Sequence, residues 1–174
     1  MERSLVMTLI GPDKPGLVGS IAAAVAGHGG NWEESRMSHL GGQFAGILRA
    51  RVPAQKEAAL VAALRALESQ GLRLVLHPEA AAAKVPGEEL VTMEIVGLDR
   101  PGIVSQISAA LARRGVNVEE LDTECAAAPM SGEAMFHASA KLRLPKGCAL
   151  ADLQADLGAI AADLMVEVKI EPPR

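Results

Sequence analysis

Two aspartates, two glycines and two asparagines recur in this chain at one spacing, and together they have the groups to hold a small zwitterion. Asp13 is followed by Pro15, Gly16 and Leu17, and then by Asn31, 15 residues after the glycine. Asp99 is followed by Pro101, Gly102 and Ile103, and by Asn117 at the same interval. An aspartate accepts hydrogen bonds from an ammonium group. A glycine lets a ligand's carboxylate come close to the backbone N–H groups at a helix N-terminus. An asparagine offers donors and an acceptor at once. Each type also has a plain structural use: Asp before a helix caps it, at ~1 kcal/mol, and Asn tolerates the left-handed turn after a helix-ending glycine.

No other constellation competes with this one. The four histidines (His28, His39, His77, His137) fall on a helix end and three strands, without metal-ligand spacing. Cys125 and Cys148 form no C-x-x-C pair, and neither a G-x-S-x-G elbow nor a Walker loop is present. The carboxylates of Glu119, Glu120, Asp122 and Glu124 alternate between strand faces and make no acid/base pair. The expectation is a non-enzyme with no catalytic residue, metal or cofactor.

The elements that must position these residues follow from an internal repeat. Gly11-Pro12-Asp13-Lys14-Pro15-Gly16-Leu17-Val18 returns as Gly97-Leu98-Asp99-Arg100-Pro101-Gly102-Ile103-Val104, an offset of 86. Residues 11–34 and 97–120 share 13 identities in 24 positions. Each copy follows an apolar run, Leu5 to Ile10 or Leu90 to Val96, and precedes a helical stripe, so each reads strand, loop, helix. The prolines suit a first helical turn. The first stripe is Leu17, Val18, Ile21, Val25 and His28, ended by Gly29-Gly30; the second is Ile103, Val104, Ile107 and Leu111, ended by Gly115.

Residues 31–40 are polar enough for an edge strand, Gly41-Gly42 marks a hairpin, and Phe44 to Val52 returns as a third strand. A helix striped by Leu60, Val61, Leu64 and Leu67 leads through Gly71 to a fourth strand with Leu72, Leu74 and Leu76. The second half repeats the order: edge strand 116–125, alternation from Phe136 to Leu144, a helical stripe from Leu150 to Leu164, and alternation from Val166 to Ile170. The offset grows from 86 to 92 downstream, which places a six-residue insertion near Ala126–Ser131. The fold class is α+β: two tandem ferredoxin-like βαββαβ domains, each an antiparallel sheet with both helices on one face. The boundaries are 1–79 and 88–174, with a short connector at 80–87.

Apolar residues make up 49% of the chain, enough for two cores, but only 2% is aromatic. Net charge is −4, and the longest basic run is Arg113-Arg114, which argues against direct nucleic-acid binding. The acidity lies in the second half: residues 1–86 carry nine basic and seven acidic side chains, and residues 87–174 carry eight and 14. The opening apolar run, about six residues, is too short for a signal peptide or membrane span. With cysteine usage that fits no disulfide framework, a cytoplasmic protein is expected.

G-x-D-[K/R]-P-G-[L/I]-V followed by G-x-N-x-E resembles the ACT domain, a small-molecule regulatory module, in both halves. Asn31-Trp32-Glu33-Glu34-Ser35-Arg36-Met37, with Leu40-Gly41 and Phe44, further resembles the family of glycine cleavage transcriptional repressors, which are tandem ACT domains. The resemblance implies an amino-acid effector, glycine first, bound where ACT sheets pair. Asp13, Pro15, Gly16, Leu17 and Asn31, and Asp99, Pro101, Gly102, Ile103 and Asn117, would be the ligand-binding residues. It also implies a LysR-type activator of the glycine cleavage operon as protein partner, and allows a homodimer through the ACT domains. The alternative is a detached regulatory subunit of an amino-acid metabolic enzyme. Leu121-Asp122 replaces Ser35-Arg36 in the second half, so the two sites are not expected to be equivalent.

Overall fold

The computed structural model describes residues 1–78, 88–128 and 131–172. It divides into two compact units, Met1–Ala82 and Ala83–Arg174. The expected connector, 80–87, lies outside the described residues.

In the first unit, β1 (Glu2–Pro12), α1 (Leu17–Gly27), β2 (Asn31–Leu40), β3 (Gln43–Pro53), α2 (Glu57–Ala66) and β4 (Arg73–Pro78) follow in order. The second unit repeats them as β5 (Glu89–Leu98), α3 (Ile103–Arg113), β6 (Asn117–Ala127), β7 (Ala134–Leu144), α4 (Leu150–Leu164) and β8 (Val166–Glu171). Each unit is a four-stranded antiparallel sheet, ordered β2-β3-β1-β4 and β6-β7-β5-β8. Among the described residues the polar strands β2 and β6 are edges, where one row of backbone groups lacks a neighbouring strand.

Alternation sorts the side chains. Leu5, Met7 and Leu9 of β1 are buried with Leu48, Ala50 and Val52 of β3, beneath Ile21 and Val25 of α1 and Leu60 and Leu64 of α2. Val91, Met93 and Ile95 play the same part in the second unit, against Ile107, Leu111, Leu153 and Leu157. Each such aliphatic side chain contributes about 1.5–3 kcal/mol on burial. The other face of β1 lies on the open side of the sheet, where Ile10 is 45% exposed. α2 also ends earlier than its stripe, and Leu67–Gln70 tightens into a 3-10 turn before Gly71.

The hairpins differ between the units. Gly41 and Gly42, both at positive φ, join β2 to β3 in two residues, the geometry that matches strand twist. In the second unit the ladder gains the pair Ala127 and Ala134, and the turn beyond is held by Ala128 C=O accepting from Gly132 N–H at 2.9 Å. The expected insertion therefore begins at the hairpin tip, and its residues 129–130 lie outside the described residues.

Candidate functional site

The Asp-x-Pro-Gly loop is a turn placed ahead of the helix. Leu17 N–H donates to Lys14 C=O at 3.3 Å, and Gly16 stands at φ 89, ψ −2. This is a type II turn with proline at its second position and glycine at the third, where φ must be positive. Gly102 repeats it at φ 97, ψ −4. Pro15 and Pro101 therefore precede the helices and do not open them, which corrects the sequence expectation. The first helical bonds run from Ser20 N–H to Gly16 C=O and from Gln106 N–H to Gly102 C=O, both 2.9 Å. The amides of Val18 and Gly19, and of Val104 and Ser105, come before the ladder and carry the positive end of the helix dipole.

Capping is not what the aspartates do. Gly16 and Gly102 hold the cap positions, and neither helix start has a side-chain cap hydrogen bond. The loops are tied instead to the neighbouring hairpin through their backbone: Asp13 N–H to Gly42 C=O at 3.0 Å, and Asp99 N–H to Ala134 C=O at 2.8 Å. Asp13 Oδ2 lies 3.7 Å from His39 Nε2, both half-exposed. Lys14 Nζ donates to Gln70 C=O at 3.2 Å, closing the loop from the β4 side. In the second unit Asp99 faces Cys125, whose thiol is pushed above its ordinary range, first by desolvation and then by the carboxylate beside it.

The asparagines lie elsewhere. Asn31 is exposed and faces Arg51 of β3, which faces Ser4 near the start of β1. Asp13 follows the other end of β1, where Pro12 faces Gln43 and Gln43 faces Leu40. At a strand rise of about 3.4 Å per residue, roughly 30 Å of sheet separates the two side chains. Asn117 and Asp99 are divided in the same way, through Arg143 and Leu90 at one end and Met135 and Ala126 at the other. One sheet alone thus groups Asp13, Pro15, Gly16 and Leu17, and likewise Asp99, Pro101, Gly102 and Ile103, and leaves each asparagine apart.

Around each asparagine stands an ion-pair lattice that was not singled out in the sequence. A β-bulge between Trp32 and Glu34 brings Glu33 and Glu34 to the same arginine: Arg49 lies 3.7 Å from Glu33 and 2.8 Å from Glu34. Arg51 pairs with Glu33 and reaches Glu2 at 3.5 Å. The bulge between Val118 and Glu120 repeats this: Arg143 takes Glu119 at 3.0 Å and Glu88 at 3.0 Å, and Lys141 takes Glu120 at 2.7 Å. The signal was present as Glu33-Glu34 and Glu119-Glu120 at the 86 offset, and Arg49/Arg51 and Lys141/Arg143 at the 92 offset. Among the described residues no group of three or more His, Cys, Asp or Glu is placed to hold a metal ion, and no helix is long and apolar enough to cross a membrane.

Residues 3–77 match the model of the ACT domain family. Over 171 residues the chain is 24% identical to the glycine cleavage system transcriptional repressor of Escherichia coli (strain K12), covering 97% of this chain and 90% of that protein. Among solved structures, an unknown protein from Galdieria sulphuraria superposes with a TM-score of 0.86 at 26% identity, over the full length of both chains. A candidate glycine cleavage system transcriptional repressor superposes with a TM-score of 0.73 at 20% identity, covering 100% of this chain and 99% of that one, which shows a common fold. The second half repeats the strand order, turn and helix start of the half that matches the ACT domain, and the chain is similar along its length to the glycine cleavage system transcriptional repressor.

Proposed function

We propose that the chain is an amino-acid-responsive regulator, with glycine as effector, that represses the glycine cleavage operon by binding its LysR-type activator. The observation that carries this reading is the similarity to the repressor across 97% of the chain, spanning both units. The ligand's carboxylate would meet the amides of Val18 and Gly19 at the start of α1, and Asp13 would take its ammonium group. Asn31 lies at the far end of the same sheet, so it would reach the ligand from the first unit of a second copy of the chain, laid antiparallel. Asp99, Gly102 and Asn117 would make the corresponding site in the second unit. Glycine then shifts the population between a partner-binding and a partner-free assembly, to the extent that its affinities for the two differ.

Net charge of −4 supports action through a protein, since a surface of that sign is repelled by phosphates. The test joins calorimetry with retrieval of partners. Glycine at millimolar concentration should give heat and raise the melting temperature by linkage. Tagged protein should retain a LysR-type activator from extract in a glycine-dependent way, and alone should not shift operator DNA. Retention of a metabolic enzyme instead would make the chain a detached regulatory subunit, and absence of heat with every amino acid would remove the effector.

A further inference from the structure

The ion-pair lattice beside Asn31 encloses an open hollow of about 530 Å³, lined by Glu2, Ser4, Glu33, Arg49 and Arg51. Two guanidinium groups and two carboxylates make the lining neutral overall but strongly polar. Glu33, aimed inward by the bulge, is only 18% exposed in its side chain and sits between Arg51 and Arg49. On the floor is Ser4, whose Oγ is buried and makes no hydrogen bond among the described residues. Buried hydroxyls almost always have a partner, so this one marks a place built for something further.

The second unit supplies the contrast. Glu88, Glu119, Lys141 and Arg143 stand where Glu2, Glu33, Arg49 and Arg51 stand in the first, by the 86 and 92 offsets. At the position of Ser4 the second unit carries Leu90. The charges are therefore built twice, and the small hydroxyl floor once. Holding the strands together would need the charges alone.

We propose that the hollow over Ser4 is a binding site for a small zwitterion of the α-amino-acid type, inserted between Arg51 and Glu33. The choice of charge follows from the pair it opens. A simple anion would take Arg51 and leave the mostly buried Glu33 only its longer contact to Arg49 at 3.7 Å, and a simple cation would leave Arg51 only Glu2 at 3.5 Å; either outcome weakens a partly buried pair. A zwitterion gives its carboxylate to Arg51 and its ammonium to Glu33, so one ion pair becomes two and no charge is stranded. Ser4 leaves the room and adds a hydroxyl that can donate or accept. Within one sheet the site lies at the opposite end from the Asp13 loop, beside Asn31, and its lining shares no residue with that loop.

The experiment is a backbone-amide NMR titration of the full chain with glycine, and with acetate and methylammonium as its two halves. Glycine should move the resonances of Ser4, Glu33 and Arg51, and each half alone should need at least tenfold more ligand. Ser4→Leu, which installs the residue its repeat partner already tolerates, should weaken the response at these residues at least tenfold. Leu90→Ser should add a second set of shifts at Glu119 and Arg143, and tests the site even if Ser4→Leu folds poorly. Shifts confined to residues 13–19, an equal response to acetate alone, or Ser4→Leu and Leu90→Ser both behaving as wild type would overturn the proposal and leave the loop site standing. Response at the hollow with none at the loop would do the opposite.

Discussion

Asp99 faces Cys125 as Asp13 faces His39: the two partners occupy equivalent places in the repeat, one strand away from the same loop. The duplication has kept the carboxylate and changed what it looks at. An imidazole beside Asp13 can carry a positive charge, whereas a thiol beside Asp99 can only donate or become a second anion.

That difference makes Cys125 a slow nucleophile. Desolvation and the neighbouring carboxylate both raise its pKa, so less thiolate is present at a given pH and the alkylation profile moves to higher pH. Peptide-resolved iodoacetamide labelling should show Cys125 reacting more slowly than free cysteine near pH 8. Asp99→Asn should speed it and shift the profile down. An unchanged profile in that variant would separate the two groups.

In the proposed site, Asp13→Asn and Asp99→Asn remove the charge that would face the ligand's ammonium and should cost effector affinity roughly ten- to a hundredfold, the worth of one charged hydrogen bond. Since neither aspartate caps its helix, even the alanine variants should keep a wild-type urea midpoint within about 0.5 kcal/mol. The larger effect is expected at Asp13, in the unit that carries the Ser35-Arg36 pair, which the second unit lacks. Alanine variants that melt early while binding normally would return these residues to a structural role.

The glycines of the loop divide into two kinds. A Cβ on Gly16 meets nothing within 4 Å, so Gly16→Ala tests only the left-handed backbone and should cost ~1–2 kcal/mol. Gly97 is different: a Cβ there would lie 2.7 Å from Val166 Cγ1 and 2.9 Å from Met165 C=O. Gly97→Ala must push β8 away and should cost ~1–3 kcal/mol. Gly11→Ala, with its nearest atom at 3.0 Å, should cost less than Gly97→Ala. Chemical denaturation of the three variants checks the order.

Arg114, at the end of α3, donates to Asp156 of α4 at 2.7 Å and holds its pKa below the ordinary carboxylate value, chiefly through that hydrogen bond. A lowered folded pKa means stability that is present above the unfolded value, about 3.9, and lost as pH falls through the folded one. Asp156→Asn should therefore lower the urea midpoint at pH 7 and match wild type in strong acid. The pair is partly exposed, so the shift should be small beside the ~2–5 kcal/mol of Leu48→Ala in the core.

The fold was legible because period and repeat agreed at every element. Phe136 to Leu144 alternate without a break, and β7 buries all five of its apolar positions, from Phe136 to Leu144. The site was legible only as a list. Spacing along the chain put Asp13 and Asn31 on either side of one helix, but β1 and β2 run in the same direction and the helix between them travels back along the sheet. A residue before that helix and one after it must fall at opposite ends of the strands. The turn was missed for a related reason: Pro-Gly fits both a helix start and the centre of a type II turn, and only Gly16's positive φ decides. The bulge at Glu33 has no periodic signature, since one extra residue shifts the alternation without breaking it.

The bulges also bear on how these sheets meet other chains. β2 and β6 leave a row of backbone N–H and C=O groups open along each edge, a template on which a stray strand can crystallise into fibre. At Glu33 and Glu119 the ladder loses step, and the strand bends there under its own added twist. A segment zipping along Leu40 towards Asn31 falls out of register before it reaches the end. The added twist at each bulge works against extended pairing along these edges.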